Sequence, residues 1–381
     1  MFQNSTRKRG IKMKTIIKNR IQQFRELFEE NGAAGILLSK EENISYLTMG
    51  ARNHITFNTT EGVASVLITD EKAFFITNNI EKERLFNEEI HPDLHHFFTP
   101  VVYNWWENEY DVVQKLVRID HLISDSGRYL TRDITLQIAP KRFIMSEFEK
   151  ETLREVGTVI DDVFFNSMDE LHPAMTEIEV QGLFSNEFLK QNYEPILVLV
   201  FSDKSSMLYR HNLPRPVRLG ERCFVSVCIR YKGLILSSTR SILFKENDKI
   251  RDQHNKNCYV DATVIAQSRP GKKVSEAFKA LQEAYSEKGF EGEWQHHHQG
   301  GLAGYKSREL VAKPNANYVF QKGNCLAWNP TICGTKSEDT AVLNEKGNEI
   351  VSFPERSQWP ALIYEIDGMT IRRPDIVLLE R

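Results

Sequence analysis

The sequence lacks an uninterrupted apolar run of about 18 residues, the length a membrane-spanning helix requires, so no membrane partner is expected. It lacks an excess of either charge. Lys and Arg total 49 against 52 Asp and Glu, a formal net of −3, which leaves nucleic acid no global electrostatic footprint. Cysteine is scarce: Cys223, Cys228, Cys258, Cys325 and Cys333 are odd in number and widely spaced. That excludes a disulfide scaffold and suits free thiols in a reducing, cytoplasmic compartment. Cys223 and Cys228 lack the close C-x-x-C spacing of structural zinc, and on a strand their odd separation would put them on opposite faces. No Gly-rich phosphate loop stands between a strand and a helix. The basic start, with Arg7, Lys8, Arg9, Lys12 and Lys14, is followed by no apolar stretch. It reads as a solvated terminus rather than a secretory signal or a nucleic-acid arm.

What is present is enough apolar material for real cores: 41% of 381 residues, including 22 Phe. Residues 15–31 show helical periodicity through Ile17, Ile21, Phe24 and Phe28, ended by Asn31-Gly32. Strands are expected at 34–38, 63–69, 73–77 and 121–124, with helices at 41–47, 81–89 and 111–117. The alternation predicts an α/β domain over residues 1–145. His95-His96 reads as a surface or core pair. Trp105 and Trp106, beside Glu107 and Glu109, suit a ligand or subunit contact and equally an ordinary domain contact.

The second half opens with a helix from Ser146 through Phe165. Thr176 and Glu179 have capping-box spacing at the start of another. Strands are expected at 196–200, 223–229 and 233–236, the last two as a hairpin or sheet neighbours. Residues 261–266 read as strand or helix, 276–287 as helix, and 324–328 and 340–343 as strands. Three features carry chemistry. His296-His297-His298-Gln299-Gly300-Gly301 joins imidazoles, able to bind metal or exchange protons, to glycines that let backbone approach closely. His211 is a candidate general base or a turn-stabilising residue. Glu338, between a Gly-bearing turn and a strand, is a placed carboxylate or a solvated loop residue. A Cys–His nucleophile pair is the weaker alternative to small buried thiols.

In order, these segments resemble the creatinase, prolidase and aminopeptidase P superfamily, peptidase M24-like, over roughly residues 15–381. Ala174-Met175-Thr176-Glu177-Ile178-Glu179 resembles its Gly-x-Thr-Glu-x-Glu helix start. Arg210-His211 resembles its upstream histidine segment, and Ser237-Ser238-Thr239-Arg240-Ser241 its Asp-x-Thr-Arg-Thr. His298-Gln299-Gly300-Gly301 stands for His-Gly-x-Gly, Asn329-Pro330 for Glu-Pro, and Ser337-Glu338-Asp339-Thr340 for the terminal Glu-Asp-Thr. The resemblance implies an α+β chain with a C-terminal pita-bread domain over residues 146–381. An α/β creatinase-type N-terminal domain, residues 1–145, would precede it. It also implies a homodimer.

The departures bear on function. The family's peptidases hold two metal ions through two Asp, one His and two Glu. Here those positions read Ser226, Ser237, His298, Asn329 and Glu338. Hydroxyls and an amide cannot offset two dications as carboxylates do, so no metal and no other cofactor is expected. The metal-free creatinase branch implies instead a metal-independent hydrolase or lyase cleaving a C–N bond in a small amide, amidine or peptide-like substrate. On that pattern His211 moves a proton, His298 polarises the reacting group and Glu338 orients the substrate. Arg240 either binds a substrate carboxylate bidentately or serves as a structural ion-pair partner. His297, Tyr305, Arg308 and Asn329 are placed on the substrate wall, with Glu309 nearby. The competing expectations are a non-catalytic peptidase-like binding protein, as in some chromatin factors, and a residual Xaa-Pro-type metallopeptidase.

Overall fold

The structure is a computed structural model that describes residues 2–345 and 347–380, with backbone alone for residues 2–11. The side chains of Arg7, Lys8 and Arg9 therefore lie outside the described residues, as does Lys346 in the turn expected after residue 343. The chain divides into two compact units. The first runs to Arg142 and takes in Lys232–Leu234; the second comprises Phe143–Tyr231 and Ile235 onward. The boundary thus falls three residues before the expected 145/146. The reason is local: Ile144 bridges Asn324, and Met145 N–H donates to the Gly323 carbonyl (2.8 Å), so 143–145 already belong to the second unit's sheet region.

In the first unit, helix α1 (Phe2–Glu30) is longer than its apolar periodicity indicated and buries Ile17, Ile21, Phe24 and Phe28. Strands β1 (Gly35–Lys40), β2 (Glu61–Ile68), β3 (Ala73–Asn78), β4 (Thr99–Tyr103), β5 (Leu122–Ser124) and β6 (Arg132–Asp133) form one sheet in the order β4-β3-β2-β1-β5-β6. The β1–β5, β3–β4 and β5–β6 pairs are parallel; β1–β2 and β2–β3 are antiparallel. Leu37, Leu67, Ile76 and Leu122 make a core with Val113 of helix α2 (Glu109–Leu116). Residues 81–89 are only partly α-helical: Lys82–Arg84 is followed by a π-turn, Leu85–Glu89. His95 bonds the Ile90 carbonyl and packs on Phe86, while His96 stacks on Phe97, so both are accounted for locally.

The second unit supplies the elements that matter for chemistry. Helix α3 (Glu147–Ser167) and helix α4 (Glu177–Leu189) each start with a capping box, Ser146 with Glu149 and Thr176 with Glu179. Strands β7 (Glu194–Ser202), β8 (Arg222–Tyr231) and β9 (Leu234–Leu243) form a four-stranded sheet with β10 (Val377–Leu378), in the order β10-β9-β8-β7. Strand β9 runs well past the expected residue 236 and is buried along its whole length. Its polar stretch Ser237–Arg240 stays a strand because groups from residues 338–340 and 352 satisfy it. Residues 261–266 resolve as helix, inside α5 (Asp248–Gln267), which packs against α6 (Val274–Glu287). A second sheet places Gly300–Ala303 between Leu310–Val311 and Cys325–Trp328, followed outward by Asp339–Asn344 and Gly347–Ile350. No helix among the described residues is long and apolar enough to cross a membrane.

Candidate functional site

The three histidines meet because two loops are pinned. Glu177, at the start of α4, is buried and accepts from Ser202 Oγ (2.7 Å), Ser205 Oγ (2.6 Å) and Arg215 N (3.1 Å). Asn212 Nδ2 donates to the Val200 carbonyl at 2.6 Å. The Thr-Glu-x-Glu segment is thus the anchor of the loop that carries His211. On the other side, Gly300 and Gly301 take φ of 100° and 145°. A Cβ there would stand 2.2 Å from the Ala327 carbonyl oxygen and 2.1 Å from that of Leu310. Glycine is obligatory where this strand is pressed between its neighbours. Gln299, standing where the family has glycine, accepts from the Tyr285 hydroxyl (2.9 Å) and donates to the carbonyls of Trp294 and His297. Arg210 and Glu293 form an ion pair that ties the two loops together. Gly301→Ala is expected to cost about 2–3 kcal/mol, read as a lowered urea midpoint; an unchanged midpoint would show that the strand can open without penalty.

His297 Nε2 and His211 Nε2 are 3.2 Å apart, and the His298 ring stacks on His297 at 4.5 Å between centroids. His297 is buried, while His211 and His298 are accessible. Burial, reinforced by the charge of Lys336, holds His297 at about 2. Partial desolvation and then Arg308 bring His298 down to about 4. His211 is lowered by the same two influences, desolvation and then Lys336. All three rings are therefore neutral near pH 7. His296, although contiguous in sequence, is not part of this group.

Glu338 meets two cations. Its Oε1 accepts from Arg308 Nη2 (2.9 Å), and its Oε2 receives Lys336 Nζ (2.7 Å) and Thr239 Oγ1 (3.0 Å). Most of this is buried: the Lys336 and Glu338 side chains are 5% and 4% exposed and that of Arg308 11%. Burial alone would raise the Glu338 pKa; Lys336 and Arg308 more than offset it and hold it at about 2. Arg308 Nη1 also donates to Ser237 Oγ (3.3 Å), which lies 3.3 Å from Cys228 Sγ. Ser226 Oγ is paired with Thr239 Oγ1 at 2.7 Å. Asn329 is buried with its Oδ1 lacking a protein partner.

Tested against this arrangement, a two-ion centre does not fit. The single carboxylate among the five positions is already neutralised by two protein cations, two of the others are serine hydroxyls engaged with protein groups, and Lys336 and Arg308 would repel further dications. Lys336 was not anticipated. Its signal is nonetheless in the sequence: Lys336 and Glu338 are two apart in an extended segment, which puts their side chains on one face.

Several expectations need correction. Arg240 does not line the site: its side chain is wholly buried and donates to Asp339 Oδ1 (3.0 Å), Ser238 Oγ (2.8 Å) and the Ser352 carbonyl (2.8 Å). It is the structural ion-pair partner, not a substrate ligand. Tyr305 points to the cap of α3, where its hydroxyl donates to Glu149 Oε1 at 2.6 Å, instead of the histidines. Glu338 gives Oε1 to Arg308 and Oε2 to Lys336 and Thr239, so protein donors fix its position. Cys223, Cys258 and Cys325 are buried, with thiols pushed up to about 12 by that burial, and the buried Cys228 thiol is raised too. They behave as small hydrophobes.

Fold and site define a creatinase/prolidase-type chain: a creatinase-type N-terminal domain followed by an M24 pita-bread domain. The creatinase/prolidase N-terminal domain model matches residues 20–163, and the metallopeptidase family M24 model matches residues 151–378. The chain belongs to family M24. An uncharacterised peptidase of Methanocaldococcus jannaschii is 22% identical over 255 residues, covering 63% of this chain and 66% of that protein. Among solved structures, an Xaa-Pro dipeptidase from Bacillus anthracis superposes with a TM-score of 0.73 at 22% identity, over 88% of this chain and 97% of the other. A prolidase from Pyrococcus horikoshii gives 0.74 at 19%, over 89% and 99%. The N-terminal domain of FACT complex subunit SPT16 from chickpea gives 0.67 at 12%, over 89% and 96%. At these identities the structures speak for the fold alone.

Proposed function

We propose that this chain is a metal-independent hydrolase or lyase that cleaves a C–N bond in a small amide, amidine or peptide-like substrate. The observation that carries the reading is the clamp on Glu338. Where the family's peptidases place metal ions, this chain places the fixed charges of Arg308 and Lys336, beside accessible neutral imidazoles. His211 is the proton acceptor, as a free imidazole open to a substrate or water. His297, 3.2 Å away, sets its orientation. His298 hydrogen-bonds the reacting group. Arg308 and Lys336 outnumber Glu338 by one charge and stabilise negative charge developing on the substrate. The same resemblance supports a homodimer, the five unpaired cysteines suit a cytoplasmic setting, and exposed Trp105, Trp106, Leu130 and Leu136 in the first unit suit a subunit contact.

The test is a turnover panel of small amides, amidines and Xaa-Pro dipeptides, run on tag-free, chelator-treated protein. At least one class is expected to turn over without added metal, and His211→Ala to lower the rate about a hundredfold. Turnover appearing only after metal addition would establish a metallopeptidase instead. Binding of panel members without any turnover would establish a binding protein.

A further inference from the structure

Among the described residues, one group of side chains has the makings of a single-ion site: His211, His297 and His298, each of which offers one ring nitrogen within 4.8 Å of those of the other two. Two nitrogen donors at ~2.0–2.1 Å from one tetrahedral zinc ion stand about 3.3–3.4 Å apart. The His211 and His297 Nε2 atoms are 3.2 Å apart. One N–H···N hydrogen bond would account for that pair alone. It does not account for a third imidazole stacked against His297 at 4.5 Å and tilted toward His211 at 5.8 Å between centroids. His298 is accessible, so a rotation of its ring to complete a three-nitrogen set displaces no core packing. The backbone beneath is fixed by Gln299 and the two glycines, so the set is largely assembled before any ion arrives.

We infer that His211, His297 and His298 bind one first-row divalent transition ion, zinc foremost, and that this ion inhibits the enzyme. The site is not the family's carboxylate-built pair, because no carboxylate belongs to it. Its chemistry sets its selectivity. Imidazole suits zinc, copper, nickel and cobalt; hard cations need charged oxygens. Arg308 and Lys336 oppose any dication there, and imidazole offers magnesium and calcium no bond that offsets this, as it does zinc. An ion on the ring nitrogens takes the lone pairs that His211 and His298 need for proton transfer and substrate contact. The inhibition rests on the proposed function; the binding does not.

The test is titration of tag-free protein with zinc chloride by calorimetry, and with cobalt(II) chloride by visible absorption. One ion per chain is expected, with a tetrahedral cobalt spectrum and no heat from magnesium. His211→Ala and His298→Ala, both at accessible positions and checked for native circular dichroism, should each weaken binding at least about tenfold. Absence of stoichiometric binding, or affinity in both variants unchanged from the parent protein, overturns the site while leaving metal-free turnover intact. Binding with unchanged or increased turnover overturns the inhibition, and an increase also counts against the metal-independent reading.

Discussion

Glu338→Gln should destabilise the protein by about 3–5 kcal/mol at pH 7, because it leaves the buried Lys336 and the largely buried Arg308 without their anion. Lys336 and Arg308 lie 2.7 and 2.9 Å from this carboxylate, and hydroxyl contacts from Thr239 and Ser237 cannot replace a full charge. The pH dependence follows from the depressed pKa. A carboxyl held at about 2 in the folded chain, against an ordinary 4.5, binds its proton more weakly folded than unfolded. Its contribution is therefore fully present above 4.5 and drains away as pH falls through about 2. Urea unfolding of the two proteins at pH 7 and again at pH 3 checks both points. The gap should be wide at pH 7 and much narrower at pH 3; equal midpoints at pH 7 would mean that the two cations do not depend on Glu338.

Arg373→Met is expected to be at least as damaging, again about 3–5 kcal/mol, with most of the protein recovered insoluble. The Arg373 guanidinium is fully buried between Asp261 Oδ2 (2.7 Å) and Asp339 Oδ2 (2.8 Å). Asp339 has a second partner in Arg240, but among the described residues Asp261 has only Ser337 Oγ (2.6 Å) besides Arg373. Burial already pushes Asp261 up to about 7 even with Arg373 opposing it. Without the guanidinium it must be protonated or solvated to fold. The double variant Arg373→Met/Asp261→Asn removes the stranded charge and should recover part of the loss. A double variant no better than the single one would place the cost in lost packing rather than in charge.

This buried network also explains why part of the site was hard to foresee. Arg240 and Asp339 sit in motif segments next to Thr239 and Glu338. Strand alternation sends neighbours to opposite faces, so adjacent motif residues serve different ends. Thr239 and Glu338 face the site, whereas Arg240 and Asp339 face the core. Tyr305 misled for a related reason. It lies between Gly301 and Arg308 in sequence, but its hydroxyl is claimed by Glu149 at the start of α3, 156 residues earlier. Nothing local announces that partner.

The sequence by itself determined the family and the order of the elements, and it shows serine and asparagine at positions where the resemblance leads one to expect acids. These are written in short segments whose spacing and side-chain chemistry can be read locally: the Thr176–Glu179 cap, the Gly300-Gly301 pair, and serine and asparagine where acids would be needed. Only the tertiary structure decided what stands in their place. Lys336, Arg308 and Glu338 form one clamp, and His211 meets His297 across 86 positions of chain, because long-range strand pairing and loop anchoring bring them together. Charge neutralisation in a buried site is a property of that assembled volume, and no single segment carries it.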